Sequence, residues 1–178
     1  MDIDIRADGF DFHFPLKAGV HIIHADMDGD ESTSTACDLL TSLHATTKAA
    51  IASGRIVKAI VLTNPKNPSG LLYSRTHLEC VAQFCQSRNL YLIVDEVYAL
   101  STLCPISWDF VSVLSLDLQA LDVDPARILA VWCTSKDFAS SGVRMESGYD
   151  HTVTLRNALT CHTRAASSRR VIQSYALV

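Results

Sequence analysis

Residues 90–94, Leu90-Tyr91-Leu92-Ile93-Val94, form an unbroken apolar run that ends at the acidic pair Asp95-Glu96. A run of this length predicts a strand that is buried on both faces, which is typical of parallel sheets. Similar strands are predicted at 57–63 and 128–133, and a helix with Ser74 as N-cap separates the first of these from the run at 90–94. The order of elements predicts an α/β fold with a mostly parallel sheet and helices on both faces.

Further elements are predicted around this centre. The helix that begins at Ser74 is expected to reach about residue 89, with a buried stripe of Leu78, Val81, Ala82 and Cys85. A second helix is predicted over about 33–53, with Leu39, Leu40, Leu43 and Ile51 near one stripe and Gly54 as its stop. Strands are expected at 20–25 and near Val143, and a helix at 151–175, whereas the class of the apolar run at 110–114 stays open.

Composition narrows the class of protein. The chain has 178 residues, of which 48% are hydrophobic and 19% charged, and a formal net charge of −4. These values indicate one globular domain, and no apolar run approaches the roughly 20 residues of a membrane span. We therefore expect no membrane partner, no nucleic-acid partner and, because the acidic N-terminus lacks the features of a secretory signal, a cytoplasmic location. The six cysteines show no metal-ligand spacing, so reduced thiols and no metal site are expected.

Polar side chains follow three of the predicted strands. Asn67 comes after the strand at 57–63, Asp95 and Tyr98 after the run at 90–94, and Lys136 after the strand at 128–133. The carboxyl ends of parallel strands share one edge of the sheet, where binding sites form. A lysine that can hold an aldehyde as a Schiff base and a carboxylate that can face a pyridine nitrogen suit pyridoxal 5′-phosphate.

Three motifs carry a family resemblance. Residues 64–70 (NPKNPSG), 95–98 (DEVY) and 135–144 (SKDFASSGVR) resemble, in order, the NPxNPxG, DEVY and SKDFxxSGxR motifs of class I/II aminotransferases. These enzymes have fold type I of the pyridoxal-phosphate-dependent proteins, and the sequence looks most similar to the 1-aminocyclopropane-1-carboxylate synthase-like branch. Each motif alone is moderate evidence, but the three in this order and spacing are specific.

The resemblance implies a role for each motif residue. Lys136 would be the catalytic residue that binds the cofactor and moves the α-proton, with its amine in surroundings of low polarity. Asp95 would pair with the pyridinium, and Asn67 and Tyr98 would hydrogen-bond the ring oxygen. Arg144 would bind the phosphate in bidentate fashion. Family members also imply a cis peptide bond before Pro68.

The resemblance covers about residues 9–175, whereas family members are longer at both ends. It therefore implies that residues 1–178 form a single, incomplete cofactor-binding large domain, with the small C-terminal domain absent. Cys133 stands where the family often has serine, and Glu146 where it often has glycine. Family members are homodimers, so a homodimer or association with a related chain is expected, partly because an incomplete sheet exposes its edges.

The function expected from these residues is that of an aminotransferase acting on an amino acid through a Lys136 Schiff base. Two alternatives belong to the same fold: a catalytically inactive fragment or pseudoenzyme, and a lyase of a biosynthetic pathway that carries out ring-forming elimination or C–S cleavage. A bare α/β binding module with accidental motifs is the remaining alternative, and it predicts no affinity for the cofactor.

Overall fold

The computed structural model describes residues 20–25, 34–101, 110–143 and 146–150. In chain order the helices and strands are α1 (Ala36–Ala52), β1 (Ala59–Thr63), α2 (Arg75–Ser87), β2 (Tyr91–Asp95), β3 (Ile128–Cys133), α3 (Thr134–Asp137) and β4 (Glu146–Asp150). Short 3₁₀ turns lie at Val113–Ser115, Pro125–Arg127 and Ser141–Val143. No helix within these ranges is long and apolar enough to cross a membrane.

The four strands form one sheet in the order β1-β2-β3-β4. Strands β1, β2 and β3 are parallel, and β4 runs antiparallel beside β3. The register places Thr63 beside Asp95 and Asp95 beside Val131, so β1 and β2 end at the same level, and β3 continues to Cys133 at the same edge of the sheet. The predicted α/β class with a mostly parallel sheet is confirmed.

One face of the sheet carries the core. Alternate residues of the three parallel strands are buried on that face: Ile60, Leu62, Leu92, Val94, Ile128 and Ala130. Buried residues of helices α1 and α2 belong to the same hydrophobic cluster. On the opposite face Val61, Ile93 and Val131 are only half-buried, and Tyr91 is 48% exposed. Two-sided burial of β2 was therefore the wrong expectation for the described residues, because both α1 and α2 pack on the same side.

Helix α1 begins with a capping box. Thr35 Oγ1 accepts a hydrogen bond from the Asp38 amide at 3.3 Å, and the Asp38 carboxylate accepts one from the Thr35 amide at 2.9 Å. The helix ends near Gly54, whose φ of +80° favours glycine at this stop. The predicted stripe is partly wrong, since Ile51 is 56% exposed. The buried stripe instead continues through small residues, and it consists of Leu39, Leu43, Thr47 and Ala50.

Helix α2 follows its prediction closely. Ser74 is the N-cap, with its hydroxyl accepting a hydrogen bond from the His77 amide at 3.4 Å. All four residues of the predicted stripe are fully buried, as expected for a helix with one face on the sheet: Leu78, Val81, Ala82 and Cys85. Burial raises the pKa of the Cys85 thiol to about 12.

Two other predictions differ from the structure. Residues 20–25 form no strand, because a strand requires a paired neighbour and none of the described strands pairs with this segment. The strand expected near Val143 lies at Glu146–Asp150, after a 3₁₀ turn. The open segment at 110–114 contains part of the 3₁₀ turn Val113–Ser115, and the helix expected at 151–175 lies outside the described residues.

Candidate active site

The carboxyl ends of β1, β2 and β3 deliver the motif residues to one edge of the sheet. Strand β1 ends at Thr63 and leads into the turn that carries Asn67. Strand β2 ends at Asp95, and the following loop carries Tyr98. Strand β3 ends at Cys133 and continues directly into α3, which contains Lys136. The shared register explains why residues so far apart in the sequence meet here.

Asp95, Tyr98 and Lys136 lie close together. The Lys136 Nζ is 5.8 Å from the centroid of the Tyr98 ring, within the range of a cation–π contact. Burial raises the pKa of Asp95 above its ordinary value, while a hydrogen bond from the Val97 amide at 3.2 Å and the positive charge of Lys136 oppose this rise. Burial is the largest of the three effects, so the pKa of Asp95 stays raised although the positive charge of Lys136 lowers it.

Lys136 itself differs from expectation in one respect. Its side chain is exposed, whereas the sequence predicted surroundings of low polarity for the amine. It lies on α3, a single helical turn of which no residue is buried. The expectation of low polarity is therefore wrong for the described part of the chain.

Asn67 and Arg144 are less closely connected to this group. Asn67 is half-buried in the turn after β1, and within the described ranges no hydrogen bond joins its side chain to Asp95, Tyr98 or Lys136. The cis peptide bond predicted before Pro68 is present, and a second cis bond precedes Pro65. Arg144 lies outside the described residues, so its role in phosphate binding stays a prediction.

Glu96 is a structural residue of this region that the sequence analysis did not assign. It is only 5% exposed, and its carboxylate accepts hydrogen bonds of 2.7 Å from both the Ser112 hydroxyl and the Val113 amide. Burial raises its pKa, as does the negative charge of neighbouring Asp95, while these two hydrogen bonds lower it. The signal in the sequence was the paired carboxylate of the DEVY motif, which has a second acid with no role at the cofactor.

Asn64, the first asparagine of the NPxNPxG motif, also has a structural role. It is fully buried, and its amide nitrogen donates to the Val111 carbonyl at 3.1 Å. Its side-chain oxygen accepts a hydrogen bond from the Tyr73 amide at 3.1 Å, and its backbone amide donates to the Asp95 carbonyl at 2.9 Å. Asn64 thus connects the turn after β1 to the end of β2, which fixes the position from which Asn67 projects.

The site also contains buried hydroxyl groups that could serve a ligand. Thr63 Oγ1 and Ser135 Oγ are buried and have no hydrogen-bond partner among the described residues. Thr63 is the register neighbour of Asp95, and Ser135 precedes Lys136. Buried hydroxyl groups normally have partners, so these two fit a site that is completed by a polar ligand. Together with an amine and a carboxylate, they form a donor and acceptor set that suits pyridoxal 5′-phosphate.

Comparison with a library of protein families gives a match to aminotransferase class I and II over residues 32–176. The match includes all three motifs and confirms the resemblance drawn from them. Members of this family depend on pyridoxal 5′-phosphate, the cofactor expected from the sequence.

Curated relatives include a probable aminotransferase of Aspergillus fumigatus, which is 35% identical over 89% of this chain and 38% of its own length. The trimodular acetylaranotin synthesis protein of Aspergillus terreus is 41% identical over 79% of this chain and 16% of its own length. A human protein described as a probable inactive 1-aminocyclopropane-1-carboxylate synthase-like protein is 32% identical over 85% of this chain and 27% of its own length. The chain therefore spans well under half the length of these relatives.

A solved structure confirms the fold. N-succinyldiaminopimelate aminotransferase from Mycobacterium tuberculosis matches with a TM-score of 0.54 and 21% identity, over 74% of this chain and 30% of the other. At this identity the match supports the architecture alone.

Proposed function

The chain belongs to the class I and II aminotransferase family, and we propose that it forms the cofactor-binding core of an aminotransferase that acts on an amino acid. The observation that carries this proposal is the meeting of Lys136, Asp95 and Tyr98 at the carboxyl edge of the parallel strands. These are the residue types that pyridoxal 5′-phosphate requires, at the edge where α/β sheets bind ligands. When bound, the cofactor supplies an electron sink that stabilises negative charge at the α-carbon of an amino acid.

In this proposal Lys136 has two tasks. Its Nζ would bind the cofactor at its aldehyde carbon, and the same nitrogen would be placed to move the proton of the substrate α-carbon. The exposure of Lys136 in the described residues leaves room for both the cofactor and a substrate amine to reach it. Its backbone is fixed by its place on the short helical turn that follows β3 directly.

Asp95 and Tyr98 would stabilise the charges on the pyridine ring of the cofactor. Asp95 is a carboxylate in a half-buried position, where a charge pair with a pyridinium nitrogen is stronger than in water. The positive group would in turn keep Asp95 ionised against the effect of burial on its pKa. Tyr98, with Asn67, would donate a hydrogen bond to the ring oxygen, and Arg144 would bind the phosphate.

Two further parts of the proposal concern the whole protein. A homodimer or association with a related chain is proposed because the described sheet exposes one apolar face and an unpaired edge at β1. A cytoplasmic location is proposed because the described cysteines Cys37, Cys80, Cys85 and Cys133 are free thiols, as is usual in reducing compartments.

An inactive relative of these enzymes is the second candidate. It is favoured by the human relative whose name describes it as probably inactive. An inactive protein would still fold around the same sheet edge and could retain cofactor binding. A lyase reaction on the same cofactor is the third candidate, and the residues described here favour neither of the two reaction types.

The test is a titration of the purified chain with pyridoxal 5′-phosphate, followed by visible absorbance, borohydride reduction and peptide mapping. We expect a Schiff-base band that is reduced onto Lys136, is lost in Lys136→Ala and persists in Lys48→Ala, in which an exposed lysine on α1 is removed. Label spread evenly over surface lysines, or no band in folded protein, would contradict the proposal. Amino-acid substrates then separate the candidates: loss of the band with formation of an oxo acid indicates aminotransfer, and an unchanged band indicates the inactive alternative.

A further inference from the structure

The segments that carry Tyr98 and Lys136 are joined by a single carboxylate, that of Asp137. Asp137 Oδ2 accepts hydrogen bonds from the Leu100 amide at 3.1 Å and from the Trp132 indole at 2.7 Å. Asp137 Oδ1 accepts one from the Ser101 hydroxyl at 2.6 Å. Two of these donors belong to the loop that follows β2, and the third belongs to β3.

A carboxylate suits this position better than any other side chain of its size. All three partners are donors, and an ionised carboxylate accepts on both oxygens without offering a competing hydrogen. An asparagine can offer its oxygen to the two N–H donors, but its NH₂ group then faces the Ser101 hydroxyl, which has to accept instead of donate, and all three bonds become neutral ones. Bonds to an ionised acceptor are also shorter and stronger than neutral ones.

The donor on β3 gives the connection a rigid base. Trp132 lies in a strand that pairs with both β2 and β4, and its ring also makes an edge contact with Phe138, with centroids 6.1 Å apart. Asp137 therefore holds the loop 96–101 in a fixed position relative to the sheet. The same loop brings the Tyr98 ring to 5.8 Å from the amine of Lys136, the residue immediately before Asp137.

We propose that Asp137 is a positioning residue that holds the Tyr98 ring against the Lys136 amine and thereby places the Tyr98 hydroxyl for the ring oxygen of the cofactor. The inference rests on the proposed function for the role of Tyr98, but the mechanical part stands on the three hydrogen bonds alone. Asp137 touches neither reacting atoms nor cofactor in this arrangement. Its effect on cofactor binding therefore passes through Tyr98.

The first experiment measures the loop in the cofactor-free chain. Hydrogen exchange is compared for wild type, Asp137→Asn and the control Asp124→Asn, since Asp124 also accepts a backbone amide hydrogen bond, from Ala126 at 2.9 Å, but remote from the site. We expect exchange at residues 99–101 to become about tenfold faster in Asp137→Asn and to stay unchanged in Asp124→Asn. Unchanged exchange at 99–101 in Asp137→Asn overturns the inference.

The second experiment is a double-mutant cycle on cofactor affinity with Asp137→Asn and Tyr98→Phe. We expect Asp137→Asn to weaken affinity for pyridoxal 5′-phosphate about tenfold when Tyr98 is intact and less than twofold when it is added to Tyr98→Phe. Equal weakening in both backgrounds overturns the inference, because a general structural effect would not depend on the Tyr98 hydroxyl. The absorbance maximum of the Schiff base should shift in Asp137→Asn only where Tyr98 is present.

The two experiments separate this inference from the function on which it rests. If the wild-type chain forms no Schiff base, the proposed function fails, and the exchange result alone then decides whether Asp137 holds the loop. If Asp137→Asn does not fold, Ser101→Ala removes a single hydrogen bond of the same group. That variant should give the same pattern with a two- to threefold effect, and a rate at 99–101 equal to that of wild type overturns the inference.

Discussion

Truncation of Glu96 should destabilise the chain, even though it removes a buried charge. Glu96→Ala deprives two donors of their acceptor, the Ser112 hydroxyl and the Val113 amide. Val113 is fully buried, so its amide has no access to water once the carboxylate is gone. Glu96→Gln keeps one side-chain oxygen in nearly the same place and can satisfy the Val113 amide.

The magnitude follows from the burial of each donor. An unsatisfied buried amide costs about 1–3 kcal/mol, and the half-buried Ser112 hydroxyl, which can turn toward water, adds about 0.5–1 kcal/mol. Part of this loss in the free energy of unfolding is offset in Glu96→Ala, because the variant no longer buries an ionised carboxylate, which is unfavourable, as the raised pKa of Glu96 indicates. We expect Glu96→Ala to lower the free energy of unfolding by about 2 kcal/mol and Glu96→Gln by less than about 1 kcal/mol.

Urea unfolding followed by circular dichroism measures both values. Glu79→Ala and Glu79→Gln on α2 are the controls, each expected within about 0.5 kcal/mol of wild type. The pH dependence gives a second readout. Because the pKa of Glu96 is raised in the folded chain, wild type loses stability relative to Glu96→Gln as pH rises from about 4.3 through the folded value. An effect of Glu96→Ala no larger than that of Glu79→Ala would refute the reasoning.

Three further outcomes are expected from the described residues. Burial raises the pKa of Asp95, so Asp95→Asn should have a higher urea midpoint than wild type in the cofactor-free chain. The difference between the two midpoints should grow as pH rises from about 3.9, and a constant or reversed difference contradicts this. Iodoacetamide at pH 8 should label exposed Cys37 in the folded chain and Cys85, whose pKa is about 12, only after unfolding; mass spectrometry of native protein with both labelled would contradict it. Gly70→Ala should cost about 1–2 kcal/mol of unfolding free energy because φ is +70°, whereas Gly142→Ala, at a site with equal open space, should stay within about 0.5 kcal/mol; equal urea midpoints would argue against strain.

Sequence patterns predicted correctly the elements whose signals lie within one short segment of the chain. The stripe on α2 has its capping serine and its buried residues within one helix, so the sequence alone contains the whole signal. The strand expected at 20–25 shows the limit of this reasoning. Its apolar residues are typical of a strand, but a strand forms only when another chain segment pairs with it, and none of the described strands pairs with residues 20–25.

The candidate site was predictable to the same extent. Motif order placed Asp95, Tyr98 and Lys136 after strands, and the parallel register of those strands accounts for their meeting. The supporting acids were not predictable, because all their partners except Trp132 are distant in sequence. Glu96 binds residues 112 and 113, and Asp137 binds residues 100, 101 and 132, separations that no spacing rule marks.

At two places in the site, one residue faces the candidate site and the acid that follows it in the chain supports the loops around it. In Asp95-Glu96 and in Lys136-Asp137 the first residue faces the candidate site, and the carboxylate of the second binds amide and hydroxyl groups of another segment. Consecutive side chains point in different directions in extended chain and in a helical turn, so one backbone position can serve both tasks. The supporting carboxylate and the site residue are neighbours on one backbone. Movement of the segment that donates hydrogen bonds to the carboxylate therefore also displaces the site residue. Substitution of Asp95 or Lys136 should therefore abolish cofactor binding while the chain stays folded, whereas substitution of Glu96 or Asp137 should loosen the loops and weaken binding in proportion.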